Sequence, residues 1–168
     1  MRLIGVALSI ILFFLVFSKT CVPARAQAID ENLLNESQIT SFLGKIQELS
    51  LEANAYGPGS YKWILLNFKG TFPNVLKNRI TEQFQQTYTV YLDKKDIPPD
   101  KIETSEGNFM GYKEGFALKL EIDGIDATSI KLKYLITFAN LGAEGKYLKY
   151  LWIVDHWVVS EVYGEYQS

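Results

Sequence analysis

Apolar positions fall into three regimes along this chain of 168 residues, and each regime predicts a different kind of structure. Residues 3–17 are an apolar run broken only by Gly5 and Ser9. Between Ile39 and Tyr91 apolar side chains recur at intervals of three and four, the spacing of one helix face. Beyond Lys101 the interval falls to two, the spacing of a strand with one dry and one wet face.

The first run follows Arg2 and leads to Ala26-Gln27-Ala28, the small-x-small pattern of a signal-peptidase site. This predicts a cleaved signal peptide over residues 1–28 and a single mature domain over residues 29–168. A membrane anchor would need about 20 consecutive apolar residues, more than this run has. A lipoprotein site at Cys21 is opposed by Ser18-Lys19-Thr20, which sets a charge where a small side chain belongs. The mature protein is expected to be exported, to the periplasm in a Gram-negative bacterium and otherwise outside the cell, with no membrane insertion after cleavage.

In the second regime, Asn35 or Ser37 caps a helix whose apolar face is Ile39, Phe42, Leu43, Ile46 and Leu49, and Gly57-Pro58-Gly59 ends it. Residues 61–68 (YKWILLNF) read either as a short helix or as a buried strand. Asn74 then caps a second long helix carrying Val75, Leu76, Ile80, Phe84, Tyr88 and Tyr91 and ending around Leu92.

In the third regime, Phe116, Leu118, Leu120 and Ile122 alternate with Lys119, Glu121 and Asp123, and Ile130, Leu132, Tyr134, Ile136 and Phe138 alternate with Lys131, Lys133 and Thr137. These are two antiparallel strands whose connection begins at Asp123-Gly124, with charge pairs possible across their wet faces. Gly142 to Gly145 predicts a turn and residues 147–154 a strand. Asp155-His156 is a tight connection, and residues 157–166 form the closing strand. A weaker strand around residues 102–112 pairs at one edge. The expected architecture is α+β, with N-terminal helices packed on a curved four- to five-stranded antiparallel sheet.

The segment Leu151-Trp152-Ile153-Val154-Asp155-His156-Trp157-Val158-Val159-Ser160-Glu161-Val162 reads as strand, tight turn, aromatic and closing strand. This ending, with the order of elements before it, resembles the NTF2-like (cystatin-like) superfamily, in which a curved sheet wraps a long helix as a cone. His156 stands where such domains usually have a glycine after the turn aspartate. The resemblance implies the cone fold and a place in envelope assemblies, and it transfers no catalytic residue.

Removing residues 1–28 also takes away Arg2, Lys19 and Arg25, which leaves 14 basic against 19 acidic side chains. That balance argues against nucleic acid as a partner. The only cysteine, Cys21, leaves as well, and with it any disulfide, thiolate nucleophile or thiolate metal site. A single histidine, His156, rules out a multi-histidine zinc site, and no EF-hand loop is present. We expect no metal and no cofactor. Asn35-Glu36-Ser37 fits a glycosylation sequon, which matters only in a eukaryotic secretory pathway.

Several positions invite a catalytic reading. Asp155-His156 is better read as the hairpin loop itself, because neighbouring strand residues face opposite ways. Gly142-Ala143-Glu144-Gly145-Lys146 lacks the spacing and the Ser or Thr of a phosphate loop and reads as a hairpin turn. Glu161 faces the cone if Trp157, Val159 and Tyr163 do, and faces solvent if Val158, Val162 and Tyr166 point inward. Tyr134 is the one hydroxyl on the inward face of its strand. Together Glu161 as base and Tyr134 as donor would suit an isomerase- or hydratase-type enzyme working in the cone.

No catalytic constellation stands out beyond that pair. The leading expectation is therefore a noncatalytic exported domain that binds a protein partner or an apolar ligand in the envelope. The chain's 23 aromatic residues, three of them in the signal segment, make Trp63, Tyr147, Tyr150 and Trp152 the binding candidates. A third expectation is a structural homodimer joined through the outer sheet face, since the strand over 147–154 carries apolar side chains on both faces.

Overall fold

In a computed structural model, the chain is described over residues 33–56, 61–139 and 142–167. The expected signal peptide over residues 1–28 and the helix end at Gly57-Pro58-Gly59 lie outside the described residues. Two helices cover one face of a curled, open sheet of eight strands, so the α+β class holds. The sheet is larger than the four or five strands expected, and it is mixed rather than antiparallel.

Helix α1 spans Glu36–Tyr56. The Gln38 N–H donates to Asn35 Oδ1 at 3.0 Å, and the Asn35 N–H donates to Gln38 Oε1 at 2.9 Å. This reciprocal capping box satisfies two amides that a helix start otherwise leaves open. Ile39, Phe42, Ile46, Leu49 and Ala53 form its buried face. Helix α2, Asn74–Gln85, buries Leu76, Ile80 and Phe84 and stops well short of Leu92. Tyr88 and Tyr91 fit a helical interval, but Thr89–Tyr91 forms a short strand, β2, instead. Its parallel pairing with Trp63, Ile64 and Leu65 outweighs a further turn of helix.

Those partners belong to β1, Trp63–Gly70, which decides the ambiguous run in favour of a strand. Trp63 to Leu66 are all buried because the strand is covered on both faces, which is why no alternation was visible. Strand β1 also pairs in parallel with β5, Gly115–Ile125, and α2 is the crossover that parallel β1–β2 pairing requires. Between β2 and β5 lie two single-turn helices, Lys94–Asp96 and Pro99–Lys101, and a hairpin. The hairpin joins β3, Ile102–Ser105, to β4, Asn108–Tyr112. Its two-residue loop, Glu106-Gly107, has positive φ at both positions (51° and 80°), as tight hairpins favour.

Strand β5 pairs antiparallel with β6, Ser129–Ala139, then β6 with β7, Gly142–Ile153, and β7 with β8, His156–Gln167. The β5–β6 loop is Asp126 to Thr128 rather than Asp123-Gly124; the register instead shifts between Ile122 and Gly124. The Asp126 carboxylate accepts the N–H and hydroxyl groups of both Thr128 and Ser129. These bonds hold its pKa down at about 2.

Two turn expectations change. Gly142 to Lys146 lies inside β7, because the segment pairs with β6 on one side and, from Glu144, with β8 on the other, so that Gly145 sits between Leu135 and Tyr166. The final hairpin turns at Val154-Asp155, and His156 already opens β8 opposite Ile153. Val154 carries φ of 59° and is 89 % exposed, an unfavourable state for a β-branched residue.

The register divides the sheet into an inner and an outer face. Phe116, Leu118, Leu120 and Ile122 of β5, with Ile130, Leu132, Tyr134 and Ile136 of β6, pack inward against the helices. A second, smaller cluster of Trp63, Leu65 and Ile97 lies on the outer face, with Tyr91, Ile102, Tyr112 and Ala117 packed around it.

Candidate functional site

The four aromatic binding candidates do not meet. Trp63 is fully buried in the outer cluster, edge-on to Tyr91 and Tyr112, with its indole N–H donating to the Lys113 carbonyl at 2.8 Å. A Cβ at Gly115, its partner on β5, would lie 2.1 Å from the Trp63 ring, so only glycine fits there. Tyr150 is buried on the inner face against Phe42. Trp152 is half-buried beside Trp157, whose indole N–H donates to the Gln38 carbonyl at 2.8 Å. Tyr147 is half-buried on the outer side of β7, with the Lys133 ammonium 4.6 Å from its ring centroid.

Glu161 and Tyr134 are also kept apart. Strand β8 carries two extra residues relative to β7, one between Val159 and Glu161 and one between Val162 and Gly164. Trp157 and Val159 therefore share a face with Trp152 and Tyr150, while Glu161 falls opposite Lys149 and Val162 opposite Leu148. The first of the two strand frames considered from periodicity holds at Trp157 and Val159, and the second at Glu161 and Val162. Glu161 is exposed, 3.4 Å from Lys149, and the Tyr163 hydroxyl and then Lys149 hold its carboxyl below the ordinary range. Tyr134 is 1 % exposed on the inner face, and its hydroxyl donates to Glu52 Oε2 at 2.9 Å. Burial, then Glu52, raises its pKa far above that of a free phenol.

A second acid is thus Tyr134's real partner. Glu48 and Glu52 lie one helical turn apart on α1, and both raise the pKa of Tyr150 after burial does. On β7, Lys146 reaches Glu144 at 4.0 Å and Glu165 at 3.8 Å. The four-residue spacing of Glu48 and Glu52 was visible in the sequence, but their facing strand was not. Chemically this cluster holds a neutral phenol already donating to a carboxylate. A substrate would have to displace Glu52 to receive that proton.

A more open feature lies on the outer face. The single-turn helices and the β3–β4 hairpin cover only part of that face, and beside this cover runs a trough of about 560 Å³. Its floor is set by cross-strand rows: Leu65, Ala117 and Thr137, then Asn67, Lys119 and Leu135. Tyr112 and Leu92 form walls, and Lys69, Lys94 and Lys119 contribute ammonium groups. Asp93 is the one carboxylate in the lining. It accepts the Lys95 N–H at 3.0 Å and pairs with the Lys95 ammonium at 3.1 Å. Periodicity did not reveal the trough, because its residues come from four separate strands and the segment after β2.

A second groove of about 440 Å³ lies between the two helices, where the Gln83 side-chain N–H donates to Gln47 Oε1 and Arg79 pairs with Glu36. Among the described residues, no three His, Cys, Asp or Glu side chains gather as a metal site, and no helix is long and apolar enough to cross a membrane. The chain matches no family model, no curated protein and no solved structure.

Proposed function

We propose that this chain is a noncatalytic, exported binding domain of the NTF2-like kind that receives an apolar-bodied ligand in the outer trough. The observation that carries the reading is an open trough of about 560 Å³ with Leu65, Ala117, Leu135 and Tyr112 on its floor and walls. That size is typical of small-molecule sites, and the lining sets Leu65, Leu92, Tyr112, Ala117 and Leu135 among polar and charged groups that can fix a ligand's orientation. The hydroxyl of Thr137 and the amide of Asn67 supply such polar groups. Export is supported by residues 1–28, and the cone by helices lying on one face of a curled sheet.

Filling the trough tests the reading. Ala117→Trp places an indole over the floor without touching the inner core. Titration of a small apolar ligand panel, followed by amide shift perturbation at Leu135 and Thr137, is expected to saturate in the wild type and to fail in this variant at unchanged melting temperature. Equal saturation in both proteins would overturn it.

The enzyme reading has one observation in its favour, the Tyr134–Glu52 hydrogen bond, and it would make Glu52 rather than Glu161 the acid-base group.

A further inference from the structure

The trough is polarised along its length. Its first row, Leu65–Ala117–Thr137, lies beside Tyr112 and offers apolar contact; the second contains Lys119, and Lys69 stands one row beyond. Lys94 stands on the wall, its ammonium 4.8 Å from the centroid of the Phe109 ring, which packs on Tyr112. Among the described residues, neither Lys69 nor Lys94 has an ion-pair partner.

The nearby carboxylates do not cancel this charge. Asp93 is engaged by Lys95. Glu121, just outside the lining, is shared between Lys119 at 3.6 Å and Lys133 at 3.9 Å. A chain with a formal charge of −2 thus concentrates cations around one apolar floor. An apolar recess with a surplus of one charge focuses the field on the opposite charge.

We infer that the trough takes a small amphipathic anion, its apolar body on the Leu65–Ala117 row against Tyr112 and its acidic head among Lys69, Lys94 and Lys119. The inference rests on the trough being a ligand site and adds the chemistry of the ligand. Apolar contact orients the body, and the lysines select the head as mobile point charges rather than as a bidentate fork.

The test compares three probes of one chain length, octanoate, octan-1-ol and octyltrimethylammonium, by amide shift perturbation at Ala117, Leu135 and Thr137. Octanoate is expected to bind about tenfold more tightly than octanol, the scale of one or two solvent-screened charge contacts. The advantage should shrink as salt rises. Lys94→Gln with Lys119→Gln is expected to bring octanoate down to the affinity that octanol shows for the same variant. Equal binding of octanoate and octanol, or preference for the cation, overturns the anion inference and leaves the trough a ligand site. Failure of all three probes to perturb these residues counts against the site itself.

Discussion

The inner and outer faces of the sheet each bury a tryptophan completely, yet they finish the task differently. On the inner face, α1 and α2 span the strands, and two polar groups that enter the core find partners there, Tyr134 with Glu52 and the Trp157 indole with Gln38, while the buried Tyr61 hydroxyl has none among the described residues. On the outer face the cover is a pair of single-turn helices and a short hairpin, enough to enclose Trp63, Leu65 and Ile97 but not the strands beside them. Where that cover ends, an apolar floor meets lysines. A binding surface arises here from incomplete coverage, and the buried aromatics are the scaffold beside it.

The strongest way to break this comparison is to remove each tryptophan in turn. Trp157→Ala should cost about 3–5 kcal/mol in chemical denaturation, as large buried aromatics do. Trp63→Ala should cost a similar amount if the outer cluster is a true core. A loss below about 1 kcal/mol, within the range of surface changes, would show that the outer cover is only loosely attached.

Asp126 tests a loop that belongs to neither core. Asp126→Ala should cost about 1–2 kcal/mol near neutral pH, since hydrogen bonds to a charged acceptor are lost. Its folded pKa is depressed, from 3.8 to about 2, so its contribution is complete above the unfolded value and is lost as pH falls through the folded one. The gap between wild type and variant in a urea titration should therefore narrow between pH 3.8 and about 2.

Smaller effects sharpen the contrast. Tyr134→Phe removes one hydrogen bond from the inner face and should cost about 1 kcal/mol, with no change in ligand binding at the trough. Loss of trough binding in that variant would mean the faces are coupled. Val154→Gly should raise stability by about 1 kcal/mol, because glycine relieves the left-handed backbone of a β-branched residue. Thermal denaturation checks this, and a lower melting temperature would show that the valine side chain has a contact that offsets its backbone cost.

Much of the inner face was legible. The three- and four-residue spacing of Ile39, Phe42, Ile46 and Leu49 located α1, and strict alternation located β5 and β6, because one covered face and one wet face leave a periodic trace. Asn35 was legible as one of two possible caps, with Ser37; its reciprocal bond with Gln38 decided between them. Strand β1 was not, since burial on both sides removes the alternation. Nor was β2, where three residues take their conformation from a parallel neighbour.

Local sequence, then, determined the helix face, the main hairpin, the absence of cysteine beyond Cys21 and the acidic balance of the chain, because each depends on residues close together or on composition alone. Tertiary structure decided what pairing at a distance controls. The β8 bulge between Val159 and Glu161 turned Glu161 away from the face of Tyr134, and parallel pairing drew Trp63 into an outer core. The meeting of β1, β5 and β6 beneath a partial cover placed lysines around an apolar floor. Register and coverage are properties of contacts between distant segments, and no spacing within one segment encodes them.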